Sequence, residues 1–374
     1  MWKTAKLGEI CNVQRGTTIT KKNTVEGVVP VIGGGTKPTY FHNEANREAG
    51  CITISGSGAS AGFVNYWDTP IFASDCSTVE IKTNEVLQRF VYYFMQSQQQ
   101  YIYKNFRSGA AQPHVYAKDI ATLDLPIIPL VEQQRIVAKL DAAFAEIDEA
   151  IETENSKLEN STKLSASAIE EIFHSEANDW ETQSLGEVIK VERGSSPRPI
   201  KKYLTDDVGV NWVKIGDTEQ NGKYVTKTKE QITIEGSKKS RHVKKGDLIL
   251  TNSMSFGRPY IMEIDGFIHD GWFVLRLGEK LNIDYTYYLL ASPFVQKQFQ
   301  KLAAGSVVKN ISSDLTKRAI LPVPSLERQK EVARLISQLD DASSSLSSIL
   351  NSKIKNYSAL KSAILTKELR SEAA

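Results

Sequence analysis

A chain of 374 residues, 41% hydrophobic and 24% charged, has the make-up of a globular protein and length enough for two or three domains. No run approaches the roughly 18 consecutive apolar residues of a membrane helix, and the N-terminus lacks the apolar core of a signal peptide, so a cytoplasmic protein without membrane contact is expected. The net charge of +2 conceals a division: residues 131–179 hold four Lys+Arg against twelve Asp+Glu, net −8, whereas residues 180–325 hold 22 against 16, net +6. Cys11, Cys51 and Cys76 are too widely spaced for a CxxC metal or redox site, and their odd number suits a reducing compartment.

In chain order, short apolar or alternating runs come first, broken by glycine; Cys51 to Ser55 and Thr78 to Ile81 read as strands. Gly33-Gly34-Gly35-Thr36 lacks GxGxxG spacing and runs into Lys37-Pro38, so it reads as a turn and not a nucleotide loop. A helical run rich in Tyr and Gln spans Val86 to Tyr103, with Tyr92 and Tyr93 as core residues. A proline-punctuated linker, Leu125 to Pro129, precedes a long helix, since proline cannot join a helix interior. That helix carries an apolar stripe: Ile136, Leu140, Phe144, Ile147, Ile151 and Leu158, then less regularly Leu164, Ala168 and Ile172.

The plan then repeats. Leu7-Gly8-Glu9 recurs as Leu185-Gly186-Glu187, Arg15-Gly16 as Arg193-Gly194, Tyr92-Tyr93 as Tyr287-Tyr288, and Gly109 approximately as Gly305. Asp247 to Thr251 and Trp272 to Leu277 read as strands, and Tyr285 to Leu302 as the second Tyr/Gln helix. Leu125 to Leu140 aligns with Leu321 to Leu335 at 8 of 15 positions once one residue of the first copy is skipped. The second long helix has its stripe at Val332, Leu335, Leu339, Leu346, Leu350, Ile354, Tyr357 and Ile364. About 40 residues at ~1.5 Å rise make a rod of roughly 60 Å, and two such rods pack most simply as an antiparallel coiled coil. The expected fold is therefore α+β: two tandem α/β domains (1–130 and 179–325), each followed by a long helix (131–178 and 326–374), the helices forming an antiparallel spacer with pseudo-two-fold symmetry. Two independent amphipathic helices remain the alternative.

Enzymatic signatures are absent from the sequence. There is no GxxxxGK[ST] loop and no Asn/Asp-Pro-Pro-Tyr/Phe segment of amino-methyltransferases. His42, His114, His174, His242 and His269 form no ligand cluster, and His269-Asp270 near Ser253 and Ser255 lacks a GxSxG elbow. No metal site and no catalysis are expected.

The linker into Glu132-Gln133-Gln134-Arg135-Ile136-Val137, repeated as Glu327-Arg328-Gln329-Lys330-Glu331-Val332, resembles the conserved-region entry of Type I restriction–modification specificity subunits. So do the helix end Ser167 to Phe173, echoed by Ser362 to Leu369, and the opening Lys6 to Ile10, repeated as Ser184 to Val188. Gly305 to Ser312 resembles the closing turn of a target recognition domain; its partner, Gly109 to Val115, departs in having His114 where Asn310 stands. The resemblance spans essentially the whole chain. It implies a non-catalytic DNA reader whose two target recognition domains contact the halves of a bipartite, asymmetric double-stranded target. It further implies two adenine-methylating modification subunits docked on the spacer helices, joined by restriction/translocase subunits. S-adenosylmethionine, ATP and Mg would sit on those partners, with no cofactor on this chain. An interaction scaffold without DNA specificity, and an orphan specificity subunit lacking partners, are the other readings.

Base edges are best read by Arg, Lys, Asn and Gln, while Ser, Thr and backbone N–H groups hold phosphates. Candidates on glycine-, serine- and proline-rich loops are Arg15, Thr17, Lys21, Lys22, Lys37, Ser57, Ser60, Arg107 and Gln112 in the first domain. In the second they are Arg193, Ser195, Arg198, Lys201, Lys202, Lys238, Lys239, Arg241, Asn252, Ser253, Arg258 and Lys309.

Overall fold

The structure, a computed structural model, describes residues 2–109, 111–175, 180–219, 222–253, 257–303 and 311–369. Two compact units divide the chain: one within Met1–Asn155 and Asn351–Ala374, the other within Ser156–Leu350. The division falls inside both long helices, Leu130–Ser175 and Leu326–Leu369, so each helix is shared between the units.

Unit 1 is built on an antiparallel sheet ordered Cys11–Arg15, Cys76–Ile81, Cys51–Ser55, Val64–Trp67. A smaller sheet has Val29–Ile32 between Tyr40–His42, antiparallel, and Phe72–Ala73, parallel. Gly33 to Thr39 is the turn joining Val29–Ile32 to Tyr40–His42, as expected. The helical run is two helices, Gln88–Ser97 and Gln99–Asn105, whose inner residues Phe90, Tyr93, Met95 and Ile102 are buried against the sheet. The pair Lys3–Lys6 and Asp124–Ile127 closes the unit and delivers the chain to the first long helix. All three cysteines are buried and free, and burial pushes each thiol up to about 12.

Unit 2 repeats this frame. Ile189–Arg193, Trp272–Leu277, Leu248–Thr251 and Pro259–Met262 form the same antiparallel order, extended by Tyr224–Val225. Its second sheet is larger, ordered Leu204–Thr205, Glu230–Ile232, Val210–Val213, Gly266–Ile268, Arg241–Val243. The Tyr/Gln helix is again broken, into Ile283–Ala291 and Pro293–Ala303, because Pro293 has no N–H to continue the first. Thr182–Ser184 and Ile320–Pro322 close this unit.

The repeated motifs now have physical reasons. Leu-Gly-Glu is a capped turn: Leu7 and Leu185 are fully buried, while Glu9 accepts the Lys6 N–H at 3.1 Å and Glu187 the Ser184 N–H at 2.7 Å. Arg-Gly is a close approach. A Cβ at Gly16 would lie 2.5 Å from the Ser74 carbonyl oxygen, and one at Gly194 2.0 Å from that of His269.

At the linker the structure corrects the sequence register. Both long helices open on leucine, Leu130 and Leu326, and Gln133 corresponds to Gln329, so no residue is skipped. Each glutamine is fully buried. Gln133 accepts from the Leu87 N–H at 2.8 Å and donates to the carbonyls of Glu85 and Ile128, each at 2.8 Å. Gln329 accepts from the Asn282 N–H and donates to Lys280 and Pro324 with the same distances. The coincidental identities around the half-buried Glu132 and the exposed Glu327 drew the sequence alignment one residue out.

Within unit 1 the two helices run antiparallel: Lys139 meets Glu368 at 2.7 Å, Asp148 meets Lys361 at 2.6 Å and Glu154 meets Lys353 at 3.7 Å. Ile136, Leu140, Phe144 and Leu365 form the apolar seam there. Within unit 2, Phe173 shares a core with Val332, Ala333 and Ile336. The expected stripe fails at Leu164, Leu335 and Leu346, which are exposed. The buried Gln329 and Val332 put position 336 inward one turn later, so Leu335 faces out. Among the described residues no helix is long and apolar enough to cross a membrane.

Replacing Gln133 by Leu strands one N–H and two carbonyls in a buried site, at a cost of roughly 2–4 kcal/mol. The expected outcome is a lower urea midpoint for Gln133→Leu, and for Gln329→Leu, with little change for the exposed neighbour Gln134→Leu.

Candidate nucleic-acid interface

In unit 1 the candidates gather where Cys11–Arg15 ends and the glycine-rich loop after Cys51–Ser55 begins. Arg15 projects from its strand end, with Asp75 at 3.7 Å, and Asp75 also accepts the Ser57 hydroxyl hydrogen bond. Ser57 bridges to His114, whose backbone pairs with Ser108. Arg15, Gly56, Asp75, Ser77, His114 and Tyr116 surround a cavity of about 220 Å³. Lys37 belongs to the same end, because its turn abuts Ser57 at Gly34 and is held by Ser55 Oγ donating to the Gly35 carbonyl at 2.9 Å. Thr17 follows Arg15, its N–H bonded to the Ala73 carbonyl. Ser60 and Gln112 sit on the two loops, Gln112 exposed and Ser60 half-buried. Lys21 and Lys22 lie on the exposed turn Lys21–Asn23, farther along the small sheet.

Arg107 has a structural task besides the contact expected of it. Its guanidinium donates to the carbonyls of Ala61 (2.8 Å) and Ala59 (3.2 Å) and lies 4.0 Å over the Tyr103 ring, so it braces the loop that carries Ser57 and Ser60.

In unit 2 the loop before Trp272–Leu277 is the hub. The Asp270 carbonyl accepts from Arg193 Nε at 3.3 Å and from Asn252 Nδ2 at 2.9 Å. The Asp270 carboxylate accepts from Ser196 Oγ at 2.5 Å and meets Arg198 at 3.4 Å. The Ser196 bond, with help from His269 and Arg198, holds this carboxyl below the usual range. Arg241 donates to the Arg193 carbonyl at 3.3 Å, and Ser195 Oγ to that of Lys239 at 3.1 Å. Lys239 caps Tyr203, directly after the exposed Lys201 and Lys202, and Lys238 is exposed beside it. Ser253 and Arg258 are half-buried at the edges of the neighbouring loop.

Asn252 departs from expectation. It is buried, its Nδ2 donates to the Asp270 carbonyl, and its backbone bonds Gly271 and Ile311, so it fixes the loop. Lys309, with 305–310 of the closing turn, lies outside the described residues. Sequence reasoning missed Asp75, Ser196 and Asp270; the available signal was an aspartate just ahead of the same core strand in both copies. Tyr93 and Tyr288 are buried core residues as expected, and Tyr92 and Tyr287 are partly so.

A family model described as the Type I restriction modification DNA specificity domain matches residues 1–160 and 177–356. The chain belongs to that family. It is a DNA sequence-recognition subunit of a Type I restriction–modification system. The chain is 25% identical over 321 residues to the specificity subunit of the MjaVIII enzyme of Methanocaldococcus jannaschii, covering 78% of this chain and 72% of that one. It is 24% identical over 326 residues to the EcoBI specificity subunit of Escherichia coli, covering 79% and 67%. The fold is shared with a chain of a solved type I R-M system (TM-score 0.77, 19% identity, 99% and 98% covered). It is shared too with the HsdS subunit of Thermoanaerobacter tengcongensis (TM-score 0.53, 18% identity, 99% and 97% covered).

The specificity subunit also carries a pH-sensitive contact behind the unit 2 loop. His269 is largely buried between Trp212 and Trp272, accepts the Gly271 N–H at 2.8 Å, and desolvation lowers its pKa from 6.5. The unfolded chain takes a proton near pH 6.5 where the folded chain does not. Stability is therefore full above that pH and falls as pH drops toward the folded value. Urea unfolding of unit 2 should weaken between pH 7.5 and 5.5, and His269→Asn should flatten that dependence.

Proposed function

We propose that each unit reads one half of a split, asymmetric DNA target, and that partner subunits methylate adenine or restrict according to that reading. One observation carries this: a single frame occurs twice, with matching ladders, clamps and loop positions, yet the loops present different side chains. Beyond the shared Arg15 and Arg193, unit 1 offers His114 at its cavity and Ser57 bonded to Asp75; unit 2 offers Arg198 and Arg241 near Asp270. Different readers on one frame imply different half-sites. A compact reader gains only ~1–3 kcal/mol per well-contacted base, so two readers add discrimination while ignoring the base pairs between them. The unread gap would then follow the length of the shared helices.

The net charge of −8 over residues 131–179 disfavours phosphate and suits protein docking, which supports modification subunits on the long helices. Restriction/translocase subunits would join them, with S-adenosylmethionine, ATP and Mg on those partners. A chain of similar fold in a type I R-M system assembly accords with this.

Co-expression with the cognate modification subunit in a methylation-free host, followed by genome-wide N6-methyladenine mapping, should return one bipartite motif with a fixed gap. Absence of any motif from a stable, active complex would favour the scaffold reading. Separately, Lys201→Ala with Lys202→Ala should reduce the slope of log K against log salt by up to about 2, roughly 0.9 per lost phosphate contact, while leaving the motif intact.

A further inference from the structure

Each reading loop contains a carboxylate, Asp75 in unit 1 and Asp270 in unit 2, whose side chain is 39% and 43% exposed respectively. An exposed anion on a face that meets phosphates costs affinity, so its presence among cations calls for a compensating role. Holding the loop is not that role at Asp270. There the loop is tied through the backbone carbonyl, which takes Arg193 and Asn252 and survives any side-chain change. The carboxylate instead binds one hydroxyl and one guanidinium, Ser196 and Arg198. The arrangement in unit 1 is the same in kind: Asp75 binds Ser57 and faces Arg15 at 3.7 Å. The two serines come from different places, Ser57 from the loop after the middle strand and Ser196 from the loop after the edge strand. The same trio is thus assembled by two routes.

We propose that Asp75 and Asp270 are positioning residues for specificity: each fixes the direction of one arginine and one hydroxyl toward the bases of its own half-site and lowers the unit's affinity for DNA in general. The proposal rests on the half-site reading given above. An arginine free to swing finds a phosphate on any sequence, whereas one held by a carboxylate presents its remaining N–H groups along a fixed line. Removing the carboxylate therefore has two consequences of opposite sign. Discrimination falls, and non-specific binding rises because a negative charge has left the face.

The test is methylation mapping by the full chain with its modification subunit, for wild type, Asp75→Asn and Asp270→Asn, with binding to cognate and scrambled duplexes measured in parallel. Each substitution should relax one half-site, and the two should relax different halves, with preference over near-cognate sites dropping about tenfold. Binding to scrambled duplex should tighten, a change that mere loosening of the loop does not produce. Ser57→Ala and Ser196→Ala keep the charge, so each should relax its half-site without tightening non-specific binding, and they provide the readout should an aspartate variant fold poorly. A wild-type motif that neither aspartate nor serine substitution alters overturns the proposal alone. So does relaxation of both halves by one substitution, or weaker binding to scrambled duplex. No motif from the wild-type complex overturns the half-site reading and this proposal together.

Discussion

Everything in this molecule hangs on two buried side-chain amides. Gln133 and Gln329 sit three residues into the long helices and are sealed from water, each joined to three backbone groups of its own unit. A helix can be laid against a sheet by apolar contacts alone, but such contacts tolerate a slide of one residue. Three directional bonds to fixed backbone atoms do not. The clamp sets where the helix starts and which face turns inward, and so which residues of the helix remain for anything else. Because the clamped groups lie just ahead of the Tyr/Gln helix and in the proline linker, one side chain locks three segments of each unit together. Glutamine suits the position because its amide offers both an acceptor and two donors on a stem long enough to cross the interface.

Beside that fixed point the units have diverged while keeping a physical solution. Arg89 lies over the rings of Tyr66, Tyr92 and Tyr93, at 4.3–5.4 Å, and pairs with Asp141 of the first long helix at 2.9 Å. In unit 2 the corresponding helix position is Asp284, and the cation arrives from elsewhere: Lys223 lies 4.5–5.5 Å from the rings of Tyr224, Tyr287 and Tyr288 and pairs with Asp284 at 2.8 Å. The paired tyrosines persist, and the charges around them have changed places. A cation held over aromatic faces and closed by a carboxylate is favourable whichever chain segment supplies it, so selection for the cage leaves the supplier free.

That contrast explains what could be read from the amino-acid order. The duplication was legible because Leu-Gly-Glu, Arg-Gly and the tyrosine pair are bound by capping, close approach and burial, none of which admits many alternatives. The helix stripe was legible only in part. Ile136, Leu140 and Phe144 face inward as their spacing says, but Leu335 does not, since hydrophobic periodicity cannot see a glutamine clamp. Among the candidate contacts, Arg107 and Asn252 are engaged within their own units, which residue type does not reveal. Asp75 and Asp270 were overlooked for the complementary reason. A search for groups that attract a polyanion selects cations, and the anions that orient those cations carry no such mark.

The distribution of hydrogen bonds in the reading loops bears on how such a protein changes its target. In both units the loops are tied down chiefly through backbone carbonyls: those of Ala59 and Ala61 hold Arg107, that of Gly56 accepts from Val115, that of Asn252 from Ile311, and that of Asp270 from Arg193 and Asn252. A carbonyl is present whatever side chain its residue bears. The loop path is therefore insensitive to substitution at the accepting positions, while the donors Arg107, Arg193 and Asn252 are the side chains it needs. Sequence-specific recognition asks for both properties at once, a rigid path and freely variable tips, because a wandering loop loses discrimination while a side chain needed for folding cannot be exchanged. Rigidity supplied by the main chain reconciles them, and the same frame can then carry two unlike readers in one polypeptide.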